Sequence, residues 1–128
     1  MKNTKLSISI LKEKLAVCRL HANEKLPAWI INDSFYSITK TAHELSIVCP
    51  EKYLPDHIKS EKDWRAIKIE GELDFSQTGI LASIAVPLAE ANISIFAVST
   101  FNTDYILIKN NKLEKAVKIL NNFFNIIG

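Results

Sequence analysis

Trp64-Arg65-Ala66-Ile67-Lys68-Ile69-Glu70-Gly71 opens the stretch on which the fold turns, and the stretch runs on to Ile108. Ile67 and Ile69 alternate with Lys68 and Glu70, the pattern of a strand wet on one face. The polar segment Asp74-Phe75-Ser76-Gln77-Thr78-Gly79 follows, and Asp74 or Ser76 is placed to cap a helix after it. Leu81, Ile84, Leu88 and Ala91 recur at helical spacing and are expected to face a sheet. The other face, Ala82, Ala85, Val86 and Ala89, carries no charge, so a second layer or a partner chain is expected against it. Pro87 lies inside this pattern, where it removes a hydrogen bond and is expected to kink or shorten the helix. Ile93–Val98 and Tyr105–Lys109 read as strands joined by the polar turn Ser99-Thr100-Phe101-Asn102-Thr103-Asp104.

Beyond this stretch, Leu113, Ala116, Val117, Leu120 and Phe124 form one stripe of a final helix. Lys112, Lys115, Lys118 and Asn122 form its other face. Ahead of it, Leu6, Ile8 and Ile10 alternate with Ser7 and Ser9 as a strand. Lys12-Glu13-Lys14 then turns into Leu15–Leu20, and a hairpin is expected. Pro27 opens a helical turn through Ala28-Trp29-Ile30-Ile31. Phe35–Lys40 and Glu44–Cys49 form a second strand pair, which Pro50 ends. The polar run from Glu51 to Asp63 is the expected boundary, dividing the chain into an N-terminal unit, residues 1–62, and a C-terminal unit, residues 63–128. The order strand–helix–strand–strand–helix is half of a split βαβ layer with helices on one side of an antiparallel sheet. The first half reads as the same plan with shrunken helices.

The 128 residues carry 16 basic and 14 acidic side chains, a net charge of +2 with no basic stripe. Nucleic acid is not the expected partner. No apolar run approaches the roughly 20 residues of a membrane span, and the N-terminus lacks the apolar core of a secretion signal. The expectation is a cytoplasmic protein. Cys18 and Cys49 sit in apolar runs and read as buried thiols. No metal or cofactor is implied: the cysteines lack close second ligands, and the 3 glycines leave no phosphate-cradling loop. His21, His43 and His57 are scattered among polar loop residues, and no nucleophile elbow is present. Trp29 and Trp64 read as packing residues.

The two polar turns concentrate the chemistry. Free amides at a helix start suit a carboxylate, and Gly79 lets a backbone or ligand come close. Asp104 can meet an ammonium by a charge-assisted bond, with Ser99 and Thr100 orienting it. Duller roles stand beside each: Asp74 and Ser76 as caps, Gly79 as a packing position, Asp104 as a turn residue.

With these residues in view, the chain resembles the ACT domain family, ligand-sensing modules of ferredoxin-like α+β (βαββαβ) fold. Within it, the resemblance is to short stand-alone bacterial proteins with two tandem ACT-like units, akin to CASTOR-type arginine sensors. The resemblance is looser through Phe35–Thr39 and Glu44–Pro50. It is nearly continuous through Trp64-Arg65-Ala66, Glu70-Gly71, Leu73-Asp74-Phe75-Ser76, Thr78-Gly79-Ile80-Leu81, Pro87–Ala91, and Ile95–Thr100 through Asp104–Leu107. It implies antiparallel sheets with helices on one face and a non-catalytic, regulatory amino acid sensor. It also implies contacts from loop residues Asp74, Gln77, Gly79 and Ile80 and hairpin residues Ser99, Thr100, Phe101 and Asp104, next to a neighbouring unit. Gln77 and Asn102-Thr103 sit where family turns vary, so arginine preference is not inherited. A homodimer signalling to an unidentified protein partner is the expected assembly. Other readings stay open: an interaction module without ligand, an acylphosphatase-like hydrolase relying on Arg65, and, more remotely, an RNA-binding sheet.

Overall fold

The structure, a computed structural model, describes residues 6–70 and 79–127. In chain order its elements are β1 (Ser7–Ile10), β2 (Leu15–Leu20), β3 (Ser37–Lys40), β4 (Leu45–Pro50) and β5 (Ser60–Ile69). They continue with α1 (Ile80–Glu90), β6 (Phe96–Ser99), β7 (Asp104–Lys109), α2 (Leu113–Leu120) and β8 (Asn125–Ile127). Contacts group the chain into two compact units, Met1–Lys12 with Arg65–Gly128, and Glu13–Trp64. A single cut after residue 62 does not reproduce them, because β1 belongs with the later residues.

The reason lies in what β1 pairs with. Its partners are β5, antiparallel with Ile8 opposite Ile69 and Ile10 opposite Ile67, and β8, parallel with Ile8 opposite Ile126. The expected hairpin between β1 and β2 does not form. Lys12-Glu13-Lys14 supplies no residue suited to the positive φ of a tight hairpin, and β5 satisfies the ladder instead. The parallel β1–β8 pair also departs from an all-antiparallel sheet.

In the unit containing residues 65–128, β5, α1, β6, β7, α2 and β8 follow the βαββαβ order. The strands run β6-β7-β5-β1-β8 across the sheet. Ile8, Ile67, Ile69, Ile106 and Ile108 share one core with Ile84 and Leu88 of α1 and with Ala116 and Leu120 of α2. Both helices therefore cover one face. Each fully buried Ile or Leu contributes roughly 1.5–3 kcal/mol.

Helix α1 runs unbroken through Pro87. Proline forgoes the bond to the Ser83 carbonyl, yet the last turn is held from beyond. Ile93 N–H donates to Leu88 O at 2.9 Å and Asn92 N–H to Ala89 O at 3.0 Å, with Asn92 at φ 61°. This is a Schellman stop with asparagine in the left-handed position. It draws Ile93 into the core, 4 % exposed, and delays β6 to Phe96. The residue before α1 is Gly79, which holds the cap position; Asp74 and Ser76, the expected caps, lie outside the described residues. Helix α2 stops at Leu120, short of the expected stripe. Phe124 is still buried, reached through a turn in which its N–H donates to Leu120 O.

In the unit Glu13–Trp64, β2 pairs β4 over Leu15↔Pro50 to Leu20↔Leu45, and β4 pairs β3 as expected. Two 3₁₀ turns, Ala28–Ile30 and Glu51–Tyr53, stand where helices would be. β5 begins inside the polar segment read as a boundary. Leu15 lies opposite Trp64 and Val17 opposite Glu61, so one extra residue bulges out around Asp63, at φ 66°. Its first residues are exposed, which is why no hydrophobic alternation marked them.

Cys18 and Cys49 are free and buried, packed with Ile30, Leu45 and Ile47. Cys18 faces Ile47 and Cys49 faces Ala16, placing the thiols diagonally across neighbouring strands. Burial pushes both up from the ordinary 9.0 to about 11, with the neighbouring Cys18 adding to the effect at Cys49. Between 9.0 and about 11 the unfolded chain therefore binds fewer protons, and stability falls as pH rises. Urea melts across this window should show a steeper loss for the native sequence than for a Cys18→Ala/Cys49→Ala chain. Equal slopes would contradict it.

Candidate ligand-binding site

The site is best built from the end of β5. Ile69 is its last residue, and the chain leaves there toward α1. Thr103, 5 % exposed, donates its hydroxyl to the Ile69 carbonyl at 2.7 Å. The turn between β6 and β7 is thereby fastened beside the point where the strand-to-helix loop departs. A buried hydroxyl needs a partner of this kind, and here it finds one on the neighbouring strand.

The turn is closed by its own polar groups. Thr100 N–H donates to Thr103 O at 2.8 Å. The Thr100 hydroxyl donates to the same carbonyl at 3.0 Å and accepts Thr103 N–H at 3.2 Å. Ser99 and Asp104 are register partners, and the Ser99 hydroxyl donates to Asp104 Oδ1 at 2.5 Å. Asp104 thus serves the turn through Oδ1. Ser99, Thr100 and Phe101 are exposed, Phe101 to 79 %.

At the far end of the loop Gly79 has φ +78°, and a Cβ built there meets nothing within 4 Å. The glycine is required by backbone conformation, and close packing is not its reason. Its carbonyl accepts Ser83 N–H at 2.9 Å, starting α1, and Ile80 packs on the core. Asp74 and Gln77 lie outside the described residues. Ser99, Thr100 and Asp104 are thus gathered with Thr103, while Gly79 and Ile80 mark the helix start. The anchoring role of Thr103 has one sequence signal, a β-branched polar residue two positions ahead of the apolar run Tyr105–Ile108.

Other candidates carry little chemistry. His21, His43 and His57 are exposed, and no group that could hold a metal ion occurs among the described residues. Arg65 is committed to structure: Nε and Nη2 donate to Leu11 O at 3.1 and 2.9 Å, and Nη1 to Asn110 Oδ1 at 3.4 Å. A guanidinium so occupied is poorly placed to bind an acyl phosphate. Among the described residues no helix is long and apolar enough to cross a membrane.

A family model for the ACT domain matches residues 59–122. The chain belongs to the ACT domain family. A second model, described as an N-terminal domain, matches residues 13–57 of this ACT protein. Over 58 residues the chain is 41 % identical to cytosolic arginine sensor for mTORC1 subunit 1 of Homo sapiens, covering 44 % of this chain and 18 % of that protein. It is 32 % identical over 106 residues to human CASTOR3P, covering 73 % of this chain and 65 % of that protein. The chain therefore spans less than a fifth of the arginine sensor subunits it matches. A crystal structure of an Agrobacterium tumefaciens protein has TM-score 0.91 at 36 % identity, covering 98 % of this chain and 94 % of that one. The regulatory subunit of aspartate kinase from Thermus thermophilus has TM-score 0.66 at 9 % identity, covering 92 % and 97 %. At that identity it shows the shared ferredoxin-like ACT fold alone.

Removing the Thr103 hydroxyl while keeping its shape, Thr103→Val, takes away the buried hydrogen bond to the Ile69 carbonyl. Chemical denaturation should read a loss of about 1 kcal/mol, and a change within error would refute the anchoring role. Gly79→Ala should cost about 1–2 kcal/mol through its left-handed backbone, measured the same way.

Proposed function

We propose that this ACT protein is a non-catalytic regulator that binds an amino acid. Its ligand lies between the loop leading to α1 and the β6–β7 turn. Asp74, Gln77, Gly79 and Ile80 contribute from the loop, and Ser99, Thr100, Phe101 and Asp104 from the turn. The observation carrying this reading is the Thr103–Ile69 hydrogen bond, which holds the turn beside the loop's point of departure. Support also comes from the similarity to a cytosolic arginine sensor. The Asp104 carboxylate at the edge of the turn is suited to an ammonium or a cationic side chain.

The assembly we propose is a homodimer, acting in the cytoplasm and passing its state to a protein partner. Val86 is 52 % exposed and lies with exposed Ala82 and Ala89 on an uncharged face of α1. Two copies joined by such a face would repeat each site by symmetry.

The test is a thermal-shift screen with the twenty common amino acids on the native chain and on Asp104→Asn. A ligand at ten times its Kd stabilises by about 1.4 kcal/mol, raising Tm by roughly 4 °C. At least one amino acid should do so, and its Kd should weaken about tenfold in the variant. A flat screen at millimolar concentration would end the sensor reading.

A further inference from the structure

A second built feature lies in the unit Glu13–Trp64, apart from the hairpin site. Glu13, Ile31, Asn32, Asp33, Ser34, Lys52 and Tyr53 line an open hollow of about 440 Å³, the size range of small-ligand sites. Lys52 Nζ lies 2.8 Å from Glu13 Oε2, with the Glu13 side chain 27 % exposed and that of Lys52 62 %. Nζ is also 5.2 Å from the Tyr53 ring centroid. Lys52, then Ser34, hold the Glu13 carboxyl below its ordinary range, so it is ionised at neutral pH.

One wall is rigid. The Asn32 side chain accepts Ser34 N–H at 2.7 Å and Phe35 N–H at 2.9 Å, and donates to Ile30 O at 2.9 Å. Beside this fixed turn two large apolar side chains stay open to water: Ile31 is 64 % exposed and Tyr53 42 %. A surface ion pair alone contributes little to stability and does not account for the apolar side chains around it. Together, adjacent opposite charges and an apolar shelf complement a molecule bearing carboxylate, ammonium and a hydrocarbon side chain on one carbon.

We propose that this hollow is a separate binding site for a small zwitterion with an apolar side chain. Lys52 takes the carboxylate with donors not used on Glu13. Glu13 and Asp33 take the ammonium, and Ile31 and Tyr53 receive the hydrocarbon. The proposal is independent of the hairpin site.

The probe is L-leucine, titrated into the ¹⁵N-labelled full chain and followed by backbone amide shifts. Amides of Ile31, Asn32, Ser34 and Tyr53 should move saturably at millimolar leucine. Lys52→Gln and Glu13→Gln should each weaken that binding about tenfold, as should replacing leucine by 4-methylpentanoate or 3-methylbutylamine, which each lack one charge. Both substitutions are at the surface, and retained dispersion of the other resonances verifies folding. Absence of saturable shifts overturns the proposal. So does leucine binding unaltered in both variants, or either half-charged analogue binding as well as leucine. Shifts at Gly79, Ile80, Ser99 and Thr100 that vanish in Asp104→Asn report the hairpin site, so the two sites succeed or fail separately.

Discussion

The hydroxyl of Thr103 meeting the carbonyl of Ile69 is the contact on which the proposed ligand geometry depends. A turn of four residues between two strands has freedom to swing. Here a buried hydrogen bond 34 residues long in sequence removes it. Its energy is modest, on the order of 1 kcal/mol net, but a buried hydroxyl is costly to leave without a partner, which favours this position. Ser99, Thr100 and Asp104 inherit that position because Ser99 bonds to Asp104 and Thr100 to Thr103 across the same turn.

The same economy appears at the helix that follows the loop. Gly79 supplies a left-handed backbone at the start of α1, and Asn92 supplies another after its end. Between them the helix tolerates a proline, because its buried side chains Ile84 and Leu88 lie on the sheet side. Packing, not local propensity, keeps the helix whole. The face it leaves outward, from Ala82 to Ala89, is apolar enough to meet another copy.

How far the sequence foretold this depended on burial. Alternation and helical spacing work where one face is dry, so β5 beyond Trp64, α1, β7 and α2 were legible from Ile67, Ile84, Ile106 and Leu120. The opening of β5 was not: Ser60-Glu61-Lys62-Asp63 carry no apolar signal, and their pairing to β2 leaves no hydrophobic trace. β1 was legible as a strand, but its partners were not, since pairing to Ile69 and Ile126 leaves no local trace. The short β8 hid behind Phe124, which fits a helical stripe as well as it fits the core from a turn. In the candidate site, Gly79, Ser99 and Asp104 stood out by residue type. Thr103 did not, because its importance is a burial that only the tertiary structure creates.

The placement of β1 between β5 and β8 has a consequence for how the polypeptide acquires its shape during synthesis. Residues 13–64 are contiguous and can assemble as they emerge. In the other unit β1 can meet Ile69 partway through, but its second edge stays open until Ile126 has been made, closing one of the longest loops the molecule contains. Such distant pairing slows folding, so the ribosome releases one half settled and the other waiting, a difference that nascent chains arrested at increasing lengths would register.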